Sequence, residues 1–179
     1  MAMEKILIPI LALLAFASCS EKIRVYTDKD ASRDIRVFST YKWDEIKNLE
    51  TANNPLYYNE LNDKRIKMEV NAQLQNRGYK RVDSEAELIA HYHIVIKDET
   101  VYRDMTTFYH GARWLESDRS AYTLREGTLI IDLMEAKTEE LIWRGYAISI
   151  LDEYRPDISE ETLNEAITKI FREFPHTNK

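Results

Sequence analysis

Alternation of apolar and polar residues is the pattern that most constrains how this chain of 179 residues can fold. It runs from Leu88 to Lys97 and returns in residues 128–134 and 141–150, which the polar stretch 135–140 joins as a predicted hairpin. A pleated strand with one apolar face must bury that face, so we expect an antiparallel sheet with one covered and one solvated side. The residues predicted to face the core are Leu88, Ala90, Tyr92, Ile94, Ile96, Leu129, Ile131 and Leu133.

Apolar residues at helical spacing follow a turn signal in the first half of the chain. Ile66, Val70 and Leu74 recur at every fourth position, and Gly78 follows as a residue suited to the end of a helix. We predict a helix over about 57–77.

A second apolar stripe with helical spacing lies near the C-terminus, where Pro175 would end the helix. Two residues compete as its N-cap: Asp157, through a capping box with Glu160, and Ser159. The stripe comprises Leu163, Ala166, Ile167, Ile170, Phe171 and Phe174.

Three shorter segments complete the predicted sheet: residues 23–26, 35–43 and 79–82. The order of elements is then β-β-α-β-β-β-β-α. This order predicts an α+β fold, with a single mainly antiparallel β-sheet and two α-helices packed on one face.

The N-terminus carries the pattern of an export signal. An apolar run of 11 residues, 6–16, precedes the small residues Ala17 and Ser18. Because a membrane-spanning helix needs about 20 apolar residues, the run fits a signal peptide over residues 1–18 better than a membrane span. Its removal would leave 161 residues, which is one domain by length.

Cys19 is the only cysteine in the chain and follows the small residues directly. The string Phe16-Ala17-Ser18-Cys19 resembles the lipobox of bacterial lipoproteins, with Phe where Leu is usual. The resemblance implies cleavage before Cys19, lipidation of its thiol and anchoring in a membrane. Ser20 at the second position implies the outer membrane, with the leaflet undetermined. The alternative is a conventional signal peptide with an incidental Cys19.

Charge and motif content exclude several classes of function. Acidic residues outnumber basic ones 31 to 25, which argues against nucleic acid as a partner. The chain contains no Gly-x-Ser-x-Gly nucleophile motif, and its 4 glycines cannot form a phosphate-binding loop. We therefore predict a protein that is not an enzyme and needs no cofactor.

Two histidines in the alternating segment are candidate metal ligands. His91 and His93 share one strand face, Asp132 could lie on that face of a neighbouring strand, and His110 lies between these strands in sequence. The arrangement would suit a metal-dependent hydrolase. The alternative is that both histidines lie on a solvated strand face.

Aromatic residues and arginines are interleaved between residues 101 and 125. Such enrichment is typical of binding surfaces, so we predict that this segment contacts a protein or a glycan. The alternative is a longer β-hairpin whose aromatic side chains pack on the sheet. The candidate binding residues are Tyr102, Phe108, Tyr109, Arg113 and Trp114.

Short motifs along the chain resemble the DUF4136 family of bacterial lipoproteins, from about residue 23 to 175. The most specific part is the pair Glu126-Gly-Thr-Leu-Ile-Ile-Asp132 and Leu141-Ile-Trp-Arg-Gly145. Residues 98–124 carry no pattern that matches. The resemblance implies a lipidated N-terminus and tether over 19–22, one domain over 23–175 and a tail over 176–179, with an undefined biochemical function. The other matching positions are Asn54–Leu56, Arg65–Ile66, Gly78–Tyr79, Ala86–Leu88, Tyr92, Ala166–Ile167, Lys169–Ile170 and Phe174–Pro175.

From the residues and the resemblance together we predict a lipid-anchored, non-catalytic envelope protein that binds another envelope component. The alternatives are a carrier of a small molecule or lipid in the groove between sheet and helices, and the metal-dependent hydrolase.

Overall fold

The computed structural model describes residues 23–44, 55–106, 117–151 and 158–178, with residues 102–106 and 117–122 described by their backbone. Six strands and two α-helices follow in the order β-β-α-β-β-β-β-α, which confirms the predicted order. Their bounds are β1 Ile23–Lys29, β2 Thr40–Trp43, α1 Glu60–Gln75, β3 Lys80–Arg81, β4 Leu88–Thr106, β5 Ser117–Glu135, β6 Leu141–Leu151 and α2 Glu160–Ile170.

All six strands belong to one sheet, in the order β1-β6-β5-β4-β2-β3. The pairs β1–β6, β6–β5 and β5–β4 are antiparallel, whereas β2 lies parallel to both β4 and β3. The predicted α+β fold is therefore confirmed, and the parallel pairs at one edge make the sheet mixed in detail.

One hydrophobic core fills the space between the sheet and the two helices, and it is built from the predicted faces. Seven of the eight predicted strand residues are buried, and the eighth, Ile96, packs partly buried against the core. All six residues of the second apolar stripe are buried as well. Burial of the alternating face under the helices thus explains why the alternation exists.

Both helices begin at a side-chain cap. Asn59 accepts a hydrogen bond from the backbone N–H of Asn62, so α1 begins at Glu60, later than predicted. Gly78 has a φ of 90°, the left-handed conformation expected after a helix end. Ser159 accepts from the N–H of Thr162 and is the N-cap of α2.

The strand predicted over 35–43 is shorter than expected. Asp34 accepts a hydrogen bond from the N–H of Arg36 and caps a 3₁₀ turn over Ile35–Val37, so the strand begins only at Thr40. Ile35 is buried as the residue of that turn which faces the core.

The hairpin of β4 and β5 is much longer than its alternation indicated. The two strands pair without a shift from Leu88 opposite Glu135 to Thr106 opposite Ser117. The ends of the interleaved segment 101–125 thus continue both strands, and the alternative of a longer β-hairpin holds for the described backbone. We call residues 99–106 and 117–124, which continue beyond the pair Asp98–Arg125, the arm.

The C-terminal tail returns to the start of the domain. The N–H of Thr177 donates to the carbonyl of Arg77 at 3.0 Å, and the N–H of Asn178 donates to that of Arg36 at 2.9 Å. The Thr177 hydroxyl also donates to the carbonyl of Phe38 at 2.7 Å.

Candidate binding surface

The face of the sheet opposite α1 and α2, which we call the open face, carries the polar and charged residues of the alternating strands. Its side chains form cross-strand rows, because residues in register on antiparallel strands point to the same side. One such row comprises Asp28, Arg144, Asp132 and His91 on β1, β6, β5 and β4, with Asp44 directly after β2. We call these five residues the ionic row.

The centre of the ionic row is an ion pair between a buried carboxylate and an arginine side chain that is 41% exposed. Asp132 is 5% exposed and accepts hydrogen bonds from Nε and Nη2 of Arg144, both at 2.7 Å. These bonds raise the pKa of the Arg144 guanidinium, with a further contribution from the negative charge of Asp28. A carboxylate that accepts two parallel hydrogen bonds is strongly oriented, so Arg144 fixes the position of the Asp132 carboxylate.

The two histidines lie on the open face, as predicted, and they contact each other. Their ring centroids are 4.2 Å apart. Nδ1 of His91 lies 3.2 Å from Oδ2 of Asp44, and Nε2 of His93 lies 4.0 Å from Oδ2 of Asp132. His91 is directly opposite Asp132, so the structure brings together three of the four predicted metal ligands.

This cluster does not have the form of a metal centre. Within the described part of the chain, no group of three or more His, Cys, Asp or Glu side chains is arranged to hold a metal ion. The fourth predicted ligand, His110, lies outside the described residues. Among the described side chains, His91 lies close to Asp44, His93 is partly exposed, and Asp132 is buried against Arg144.

An apolar patch adjoins the ionic row on the same face. Tyr26 stacks on Tyr146 with ring centroids 5.2 Å apart. Ile130 on β5 lies opposite Tyr146 in the same cross-strand row. Several of these side chains are unusually exposed for their type: Tyr26 by 46%, Val95 by 46% and Ile150 by 59%. The patch comprises Tyr26, Tyr146, Ile130, Ile148, Val95 and Ile150.

The opposite side of the sheet offers little internal space. Between the sheet and α2, a cavity of about 30 Å³ is lined by apolar residues such as Leu129, Ala147 and Leu163. That volume holds little more than a water molecule. The core fills the space at this place, whereas a more open hollow of about 400 Å³ lies between β1 and the C-terminal end of α2.

Most residues predicted as the binding site lie outside the described part of the chain. This applies to Cys19 and to the aromatic segment's Phe108, Tyr109, Arg113 and Trp114. The backbone of Tyr102 lies in β4, within the arm. These assignments stay predictions.

Sequence reasoning missed the partners that complete the ionic row. Arg144 occupies an outward position of the predicted strand 141–150, so its alternation already placed this residue on the open face. Asp44 could not be found this way, because it reaches His91 only through the parallel pairing of β2 with β4.

These features define the chain as an α+β domain, in which two helices cover one face of a six-stranded sheet and no described helix or strand covers the other. The chain belongs to the DUF4136 family, described as a domain of unknown function, whose model matches residues 25–176. The resemblance seen in the sequence is thereby confirmed over nearly the same range. A comparison with curated proteins found no match.

Three solved structures are similar to this chain at low sequence identity, one of them with a TM-score above 0.5. A PDZ domain protein from Parabacteroides distasonis is 16% identical, with a TM-score of 0.56 over 97% of this chain and 40% of its own. This chain therefore spans well under half of that protein. The PelC dodecamer from Paraburkholderia phytofirmans is 10% identical, with a TM-score of 0.44 over 83% of this chain and 94% of its own.

A minor lipoprotein from Acinetobacter baumannii is 9% identical, with a TM-score of 0.38 over 76% of this chain and 91% of its own. Within the described residues, neither α1 nor α2 is long and apolar enough to span a bilayer.

Proposed function

We propose that this protein is a lipid-anchored, non-catalytic accessory protein of the cell envelope, held in the outer membrane through Cys19, that binds another envelope protein through the open face. The observation that carries the proposal is the apolar patch beside the ionic row. Exposed apolar side chains grouped on an otherwise polar and charged surface are typical of sites where a partner binds.

The ionic row supports recognition rather than catalysis. Both oxygens of Asp132 are engaged by Arg144, and His91 is at ion-pair distance from Asp44. A general base needs a lone pair free to take a proton from a substrate, and the hydrogen bonds from Arg144 engage both oxygens of Asp132. Fixed charges flanking an apolar patch favour one orientation of a docked partner.

The anchor is supported by the sequence around Cys19 and by the start of the domain. β1 begins at Ile23, so residues 20–22 alone separate Cys19 from the sheet. A short tether keeps the domain at the membrane, where an envelope partner would be found.

The partner is tested by purifying the tagged, lipidated protein from detergent-solubilised envelope and identifying what co-elutes. We expect a single protein in near-stoichiometric amount, lost when Val95 and Ile150 on the open face are both changed to Glu. The matched control changes Leu61 and Met68 to Glu; these α1 side chains are also exposed, by 64% and 58%, but lie away from the open face. Equal recovery with both variants would refute binding through the open face.

The anchor and the absence of catalysis need separate tests. Labelling with a clickable palmitate should modify the protein, and the Cys19→Ala variant should lose the label, whereas a retained label would contradict anchoring at Cys19. After equilibration with zinc, we expect less than one bound ion per chain. Stoichiometric zinc that is lost on changing His91 and His93 to Ala would favour the hydrolase instead.

A further inference from the structure

The arm projects from the end of the sheet at which the chain enters it. Ile23, the first residue of β1, lies opposite Ser149, which lies opposite Gly127, which in turn lies opposite Ile96. These four residues form one cross-strand row. β1 runs from this row away from the arm, while β4 runs from it into the arm.

The arm is longer than the tether that would hold the domain to the membrane. Between the row of Ile23 and Thr106, β4 advances by 10 residues, which at about 3.3 Å per residue is about 33 Å. The four steps from Cys19 to Ile23 span at most about 14 Å when fully extended. The arm thus reaches about twice as far as the tether.

From these lengths we infer that the arm contacts the lipid bilayer in which Cys19 is anchored. The inference rests on the anchor of the proposed function and adds a second contact with the same membrane. If the strands point toward the bilayer, the arm meets its surface before the tether is fully extended. The domain then either tilts, so that the arm lies along the headgroups, or places the end of the arm among them.

The composition of the hairpin suits an uncharged lipid surface. The arm carries Glu99, Asp104 and Asp118 against Arg103 and Arg119, so the two signs nearly balance and do not demand anionic lipid. The two strands of the arm also carry Tyr102 and Tyr122. Tyr and Trp are enriched where proteins meet the headgroup region.

In the competing arrangement the domain has the opposite orientation, with the arm pointing away from the bilayer. For the arm to point away from the bilayer, residues 20–22 would have to reverse the direction of the chain before Ile23. The arm would then be free to bind another protein, and the opposite end of the sheet, with the turn over 135–140, would lie nearest the lipid.

The two arrangements are separated by fluorescence quenching on vesicles. Residues 20–179 contain no cysteine, so replacing residues 1–19 by a histidine tag and adding one cysteine gives a single labelling site. Thr123→Cys places the dye NBD on the arm, and Lys137→Cys places it in the turn at the far end of the sheet; both positions are exposed. The vesicles consist of phosphatidylcholine with a nickel-chelating lipid and a lipid that carries a nitroxide on its headgroup.

We expect the label at Thr123 to lose most of its fluorescence on the tethered vesicles and the label at Lys137 to lose none. Thr100, which pairs with Thr123, provides a second arm position if that variant folds poorly. Quenching at Lys137 alone would establish the inverted arrangement and overturn the inference. Quenching at neither position would overturn it as well, and protection of the arm label in native envelope would then assign the arm to a protein.

This experiment does not depend on lipidation, because the tether is supplied chemically. If the full chain did not take up the palmitate label, the anchor would be contradicted. If the NBD label on the arm were not quenched on nickel vesicles, only the bilayer contact would be contradicted.

Discussion

Replacing Gly145 by alanine should destabilise the domain, because a side chain there has no room. Gly145 lies in β6 on the face that α2 covers. An added Cβ would lie 2.5 Å from Cγ2 of Ile170 and 2.5 Å from Cη2 of Trp143. Neither neighbour can retreat easily, since Ile170 is fully buried and the ring of Trp143 packs between Phe171 and Phe174.

The expected size of the effect is the difference between two opposing contributions. Forcing an extra methyl group into a packed core costs about 1–3 kcal/mol. Alanine is favoured over glycine in a strand by about 0.5–1 kcal/mol. Two contacts of 2.5 Å place the packing cost near the upper end of its range. We therefore expect a net loss of about 2 kcal/mol in the free energy of unfolding, or about 6 °C in Tm for a domain of this size.

Urea unfolding of the domain over residues 20–179, followed by circular dichroism, measures this loss. Gly127→Ala is the matched control, because its Cβ would meet only the side chain of Leu151, at 3.1 Å, which ends β6 and can shift. We expect that variant to lie within about 0.5 kcal/mol of the wild type. In an Ile170→Ala background, part of the Gly145→Ala penalty should disappear as a coupling energy. A Gly145→Ala domain as stable as the wild type would refute the close packing of α2 on β6.

Other perturbations test the remaining parts of the fold. Arg144→Met should cost about 3 kcal/mol, because it leaves the buried Asp132 carboxylate without a counterion, and adding Asp132→Asn should recover part of the loss in the same urea assay. Ser159→Ala should cost about 1 kcal/mol through loss of the α2 cap, measured as a shift of the urea midpoint. Burial raises the pKa of Tyr41 and of Tyr79 to about 12, so the stability that these neutral phenols contribute is complete below pH 10 and is lost as the pH rises toward 12. A titration of tyrosinate absorbance beside unfolding at each pH checks this.

For each of these predictions, one result would contradict the structural reason given. An unchanged midpoint for Arg144→Met would mean that Asp132 is solvated rather than buried. An unchanged midpoint for Ser159→Ala would mean that a residue other than Ser159 caps α2. Ionisation of all tyrosines near pH 10 in the folded domain would show that Tyr41 and Tyr79 are accessible to water.

The covered half of the fold was predictable because burial leaves its mark on the sequence. Where α1 and α2 lie on the sheet, every second residue of β4 must be apolar. Leu88, Ala90 and Ile94 occupy such positions and are buried in the core. Beyond Asp98 the described side chains of the hairpin are mostly exposed on both sides, so alternation is not required and none is found. The arm therefore could not be recognised from periodicity.

The open face was predictable only in part, for a reason of register. Alternation indicates which side of a strand His91 or Arg144 occupies, but not which residue of the next strand lies opposite. The Asp132–Arg144 pair depends on the β5–β6 register, which shifts by a bulge between Leu133 and Met134. Asp44 depends on a parallel pairing between distant segments, which no local pattern encodes.

The closure of the sheet by segments far apart in sequence determines when the domain can fold. β1 is the first strand to be synthesised, yet its partner is β6, and the tail at Thr177 and Asn178 bonds back to residues 36–38. Contacts between such distant segments slow folding, because a long loop must close before they form. A growing or truncated chain that lacks β6 would leave β1 without its partner, and an unpaired strand is prone to aggregate with other chains. Folding of this domain therefore waits for nearly its whole length, which makes the chain most vulnerable just before it is complete.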